Sequence, residues 1–236
     1  MTRRTVIVAG CAVALAARLA CAQAPVPTSY SGPWRGVDPP EGWTFSGLGV
    51  DPDPGYDGIQ TAAKLDDAGD FISVHYAAAA GAVSYWIKGL TFISGGVFRV
   101  EQSGDGADWT ALAVHTNLPA EAVYLTHFPS PSARHLRFLY AERVTGNVGL
   151  DGISVAAFVW PAIGSVGVAG GIATLGVPES MPGRTYWLEH ADALTNLPVI
   201  WTPDYAVAGS AASLVFTNAF PPNAPKRFYR VRDATP

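Results

Sequence analysis

Cysteine is almost missing from this chain. Its two cysteines, Cys11 and Cys21, both lie within the first 22 residues. Once that stretch is removed there is no thiol, no disulfide and no cysteine-based site. Charge is scarce as well, at 14% of 236 residues. No basic tract is present that could neutralise phosphates, so the electrostatic footprint of nucleic-acid binding is absent. His75, His115, His127, His135 and His190 are scattered, without the H-x-x-x-H spacing of a zinc hydrolase. The stretch nearest to a nucleophile elbow, Gly152 to Ala156, falls inside a strand pattern and carries Ala for the second Gly. Glu41, Glu101, Glu121 and Glu142 form no pair that the sequence places face to face, as glycoside hydrolysis requires. Gly164–Gly171 lacks the strand-to-helix context of a nucleotide-binding loop. These absences point away from an enzyme.

The residues that are present point to strands. The chain is 49% hydrophobic and 11% aromatic, with 25 Gly and 19 Pro. That combination predicts an all-β extracellular protein with enough apolar surface for one or two cores.

Met1–Ala22 reads as a signal peptide. Arg3-Arg4 is the positive start, Thr5–Ala17 the apolar run and Ala20-Cys21-Ala22 the cleavage site, with the cut after Ala22. A lipoprotein box at Cys11 has too short an apolar run ahead of it, and Arg3-Arg4 only loosely resembles a twin-arginine start. After the cut, 12 Lys and Arg face 19 Asp and Glu, a net charge of −7. The expected destination is secretion or the cell surface. Residues 23–40 hold Pro25, Pro27, Pro33, Pro39 and Pro40 and predict an extended linker, with Trp34 as an anchor onto the domain that follows.

In Val83–Lys88, Val83, Tyr85 and Ile87 alternate with Ser84, Trp86 and Lys88, which sets one group on each face of a strand. Gly96–Ser103 repeats the pattern, with Phe98 and Val100 on the core side. Ser103-Gly104-Asp105-Gly106 then predicts a turn: Asp bonds its own backbone and Gly supplies positive φ. Nine such strands between residues 42 and 158 predict a sandwich over residues 41–160. Ser103-x-Asp105-Gly106-x-x-Trp109, the strand VSYWIKG at Val83–Gly89, and Arg137-Phe138 with GNVGLDGISV at Gly146–Val155 resemble secreted bacterial jelly-roll domains of the galactose-binding type. That resemblance implies a jelly-roll β-sandwich and leaves the ligand open. The family often has a second Asp in its last strand where this chain has Gly152.

Gly152–Pro178 carries no charge. Glycines, Pro161 and the alternation of Ile153, Val155 and Ala157 favour strands over a membrane helix. Six further strands are expected in residues 161–236. Tyr186-Trp187-Leu188-Glu189, Leu194-Thr195-Asn196, Trp201-Thr202 and the ending Arg227-Phe228-Tyr229-Arg230-Val231 resemble a C-terminal immunoglobulin- or fibronectin-III-like domain. The fold expected is therefore a jelly-roll β-sandwich plus a smaller Ig/FnIII-like β-sandwich.

Two groups of residues carry candidate chemistry. Asp51, Asp53 and Asp57, joined by Asp151 from the closing strand, offer hard oxygen ligands of the kind calcium takes; otherwise they form a polar turn. Calcium is the one cofactor considered. Trp86, Tyr56 and Trp109 are the aromatic candidates for stacking on a ligand, drawn from a set that includes Trp43, Tyr76 and Tyr124. The reading is a non-catalytic binding module for carbohydrate or another cell-surface ligand. The alternatives are a structural or adhesive module, and an accessory part of a secreted hydrolase system.

Overall fold

The computed structural model describes residues 22–51, 55–91, 96–194, 198–210, 212–219 and 227–233. The expected signal peptide, apart from Ala22, and Asp53 lie outside them. Every regular element described is a β-strand, so the fold is all-β. Among the described residues no helix is long and apolar enough to cross a membrane.

The first sandwich pairs a six-stranded sheet with a five-stranded one. The first sheet has β3 (Gly49–Val50), β4 (Ala63–Leu65), β11 (Asn147–Ala157), β6 (Ala80–Leu90) and β9 (Val123–His127) in spatial order, and β1 (Thr28–Tyr30) also pairs with β11. Its partner is ordered β2 (Trp43–Ser46), β5 (Phe71–His75), β10 (His135–Glu142), β7 (Val97–Ser103) and β8 (Thr110–His115). Alternation fixes which side is core. Val83, Tyr85 and Ile87 of β6 are buried, as are Leu136, Phe138 and Tyr140 of β10, and all six join one cluster. Each large apolar side chain of this kind contributes about 1.5–3 kcal/mol of burial. The residues between them are left on the two outer faces.

The proline-rich segment is not a linker in the structure. Thr28–Tyr30 is paired antiparallel with Ile153–Val155, and Ala24 bridges to Tyr76. Buried Trp34 packs edge-on to Tyr30 at 5.0 Å and near Phe45 at 5.6 Å. Proline lowers the segment's own hydrogen-bonding capacity, but it leaves three residues free to join a sheet edge. The aromatic side chains then hold them there.

The second sandwich is smaller. One sheet is ordered β12 (Ser165–Ala169), β13 (Ile172–Val177) and β16 (Leu214–Ala219); the other is ordered β15 (Thr202–Ala208), β14 (Thr185–Ala191) and β17 (Phe228–Asp233). Leu175, Val177, Tyr186, Leu188 and Phe216 form its core. β15 begins at Thr202, the second residue of the Trp201-Thr202 pair singled out in the sequence. Pro203 lies in it at an irregularity opposite Glu189, a tolerable place for proline on an edge strand.

The two sandwiches meet through Arg184, which is fully buried. Its Nη2 donates to the Gly81 carbonyl at 3.4 Å and to the Pro129 carbonyl, both in the first sandwich. Its Nη1 lies 3.5 Å from Asp233, and its guanidinium lies 5.0 Å from the centre of the Phe158 ring. Burial pulls the Arg184 pKa down, and the Asp233 charge opposes that shift.

Candidate functional site

The outer face of the six-stranded sheet brings together most of the residues singled out from sequence. Cross-strand register places Trp86 of β6 between Asp151 of β11 and Tyr124 of β9. The Trp86 and Tyr124 rings lie 5.2 Å apart, tilted by 53°. Tyr124 is 52% exposed. One step along, Ser84 and Thr126 join their hydroxyls across the same strand pair at 2.8 Å. Lys88 follows Trp86 on the same face by the alternation of the strand.

The segment from Gly55 to Gln60 forms a wall beside this pair. Asp151 organises it. Asp151 is fully buried, and its Oδ2 accepts the Tyr56 N–H at 2.8 Å and the Asp57 N–H at 3.5 Å. Its Oδ1 accepts the Gly152 N–H at 2.8 Å. Burial pushes the Asp151 pKa up, the Asp57 charge pushes the same way, and the backbone donors pull it down. Asp57 in turn accepts the Ile59 N–H at 2.9 Å, which closes a short turn.

Tyr56 faces inward. Its hydroxyl donates to buried Asp51 Oδ2 at 2.6 Å, and Lys88 Nζ lies 5.6 Å from its ring centre. The hydroxyl fits because residue 149 is glycine: a Cβ there would sit 1.9 Å from it. Tyr56 therefore pins the wall to β11. Gly152 has a similar explanation. Its φ is +54°, and a Cβ would sit 3.1 Å from Trp86 Cδ1. A side chain there would meet both a left-handed backbone and the Trp86 ring.

The expected calcium set is only partly assembled. Asp51, Asp57 and Asp151 all border Tyr56 and its loop, but their oxygens accept protein donors. Among the described residues no three His, Cys, Asp or Glu side chains are placed to hold one metal ion. Asp53, the fourth residue of the expected set, lies outside the described residues.

Trp109 lies elsewhere, on the outer face of the five-stranded sheet. The Arg137 guanidinium sits 4.2 Å from its ring centre and donates through Nε to Glu101 at 2.8 Å. The Trp109 indole N–H donates to the Gly106 carbonyl at 3.1 Å. His135 meets Trp109 edge-on at 6.3 Å and stacks on His75 at 4.1 Å. One face of Trp109 is thus occupied by arginine. Trp43 and Tyr76 are buried core aromatics.

No protein-family model matches the chain, and no curated protein does. Some solved structures overlap it. The K2 cleaved adhesin domain of Lys-gingipain is 12% identical, covering 55% of this chain and 99% of that domain, with a TM-score of 0.44. The K1 cleaved adhesin domain of Lys-gingipain from Porphyromonas gingivalis W83 is 15% identical, covering 56% of this chain and 99% of its own, with a TM-score of 0.42. A C-terminal family 22 carbohydrate binding module of Clostridium thermocellum Xyn10B is 16% identical, covering 54% of this chain and 92% of its own, with a TM-score of 0.41. At this identity and overlap they transfer no ligand and no residue role.

Tyr124 is the participant that sequence reasoning did not select. Its signal was available: in Val123–His127, Tyr124 and Thr126 alternate with Val123, Leu125 and His127, so a tyrosine on the polar side was readable. Its pairing with Trp86 was not, because register between strands about 40 residues apart is not written locally.

Proposed function

We propose that this chain is a non-catalytic, exported binding module that takes carbohydrate on the outer face of the six-stranded sheet. The observation that carries this reading is the cross-strand Trp86–Tyr124 pair. Two aromatic rings stand side by side on a solvated sheet, 5.2 Å apart, with Tyr124 half exposed. An aromatic face next to hydroxyls, a lysine and a loop carboxylate suits a sugar, which has an apolar ring face and a rim of hydroxyl groups. Ser84, Thr126, Lys88 and Asp57 supply those polar groups. Export rests on the signal-peptide pattern of Met1–Ala22. The second sandwich, with three described strands facing three, is proposed as an Ig/FnIII-like module.

The most buried carboxylates support a non-catalytic role. Asp51 is held by the Tyr56 hydroxyl, Asp70 and Asp151 by backbone N–H groups, Glu101 by Arg137, and Glu189 by Arg230 with Arg232. The test is binding of the mature chain, Gln23–Pro236, to a broad polysaccharide and glycan panel, beside W86A and Y124A variants. Binding that both substitutions abolish, with unchanged melting temperature, is the expected result. Binding indifferent to both moves the site off this face. A blank panel favours a structural module, for which the buried Arg184 joint is the supporting observation.

A further inference from the structure

A groove of about 290 Å³ lies where the segment joining the two sandwiches runs past β17. Trp160, Pro161 and Pro131 line it together with Arg230–Asp233. Trp160 is 66% exposed, although tryptophan is highly buried on average. Two neighbours fix it in that position. Its ring meets Phe158 edge-on at 4.6 Å, and the ring of buried Phe158 lies under the Arg184 guanidinium. Pro161 restricts the Trp160 backbone to extended conformations. The indole is thus presented to solvent from a fixed base.

The cations of the groove are held as firmly. Buried Glu189 accepts from Arg230 Nε at 2.6 Å and from Arg232 Nε at 3.1 Å. The Arg230 guanidinium also lies 4.4 Å from the centre of the Trp201 ring. Both arginine side chains still reach solvent, at 42% and 50% exposure. One carboxylate shared by two guanidinium groups leaves one positive charge over. Asp233 does not cancel it, because Asp233 lies 3.5 Å from Arg184. The chain as a whole carries −4, so this local surplus beside an exposed indole runs against the bulk charge. Arginines fixed in this way lose little freedom when they take a second anion.

We propose that this groove is a second binding site, and that its ligand is a uronate unit of an acidic polysaccharide. A uronate carries both complements on one ring. Its face of C–H groups suits the Trp160 indole, and its planar carboxylate suits the guanidinium groups of Arg230 and Arg232. A neutral sugar leaves the charge unanswered. A run of aspartate or glutamate answers the charge but brings no flat ring to the indole. The volume stands at the small end of ligand sites, which span about 300–1,000 Å³, and suits single units of a chain passing over the groove. The site uses none of the residues of the Trp86–Tyr124 face and does not depend on that face taking sugar.

The probe is trigalacturonate, titrated into the mature chain, Gln23–Pro236, at low salt in EDTA and followed by calorimetry. Its methyl ester, in which the carboxylates are neutral, and triglutamate are the controls. W160A and R232Q should each weaken trigalacturonate binding about tenfold at an unchanged melting temperature. R232Q leaves Arg230 on Glu189, so the remaining cation keeps its anchor. The methyl ester should bind about tenfold more weakly than the acid. W86A/Y124A should bind trigalacturonate as the parent does. Four results overturn the proposal. One is no binding up to the solubility of the trimer. Another is a methyl ester that binds as tightly as the acid. A third is binding that both W160A and R232Q retain, which puts the uronate elsewhere; its loss in W86A/Y124A would then assign it to the first sandwich. The last is triglutamate binding as tightly as trigalacturonate, which assigns the groove to an acidic peptide.

Discussion

Arg184 donates to the backbone carbonyl of Pro129 across the joint between the two sandwiches. This buried guanidinium ties the two halves together through one side chain. Arg184→Met removes the charge and leaves Asp233, whose side chain is 5% exposed, without its guanidinium. The expected cost is about 3–5 kcal/mol, the range for breaking one side of a buried pair. Calorimetry should show one transition for the parent chain and two for the variant, the lower belonging to the second sandwich.

Trp86 and Tyr124 should behave as binding residues and not as core. W86A is expected to weaken binding by about 2 kcal/mol, roughly thirtyfold in Kd. Its melting temperature should stay within about 2 °C of the parent, since the ring sits on an outer face. Titration calorimetry with the panel's best ligand, beside a melting curve, separates the two effects. A large fall in melting temperature would make Trp86 structural.

Asp151 should control the loop that borders the platform. D151A leaves the N–H groups of Tyr56 and Gly152 without their acceptor. The expected loss is about 2 kcal/mol, with faster proteolytic cutting between residues 55 and 60. Because protein donors already occupy the carboxylates, calcium and EDTA should give the same melting curve. A calcium-dependent rise would show that Asp53 completes a set with Asp51, Asp57 and Asp151.

His115 and His127 predict an acid limit to stability. The Tyr85 hydroxyl lies 3.3 Å from His115 Nε2 and 2.9 Å from His127 Nε2. Burial pulls both imidazole pKa values down, and for His115 the neighbouring His127 adds to that. A histidine depressed in the fold is protonated first in the unfolded chain. Its effect is nil above the unfolded pKa, about 6.5, and stability falls as the pH drops below that value. Melting temperature should therefore decline between about pH 6.5 and 5. H115Q/H127Q should flatten that slope; an unchanged slope would place the titration elsewhere.

Local signals were legible and non-local ones were not. The alternation in Val83–Lys88 showed that Trp86 faces away from Val83, Tyr85 and Ile87, and Ser103–Gly106 announced its turn. In the structure Asp105 accepts the Ala107 and Asp108 N–H groups, which hold its carboxyl down at about 2. The convergence of Asp51, Asp57 and Asp151 around Tyr56 was half visible, as residue types; the inward turn of the Tyr56 ring depended on the space at Gly149. Thr28–Tyr30 was hidden because proline density signals extended coil whether or not a sheet edge is nearby. Arg184 gave no sign at all: one arginine after Gly183 looks like any surface charge until two backbones enclose it.

The pairing of Thr28 with Val155 also sets an order of events in time. The first strand among the described residues waits for the last strand of its sandwich before it has a partner. Until then Thr28–Tyr30 has no sheet to join. A chain with such a closing step closes only when residue 155 arrives. The closure links residues far apart in sequence, so it belongs to the slow class of folding steps.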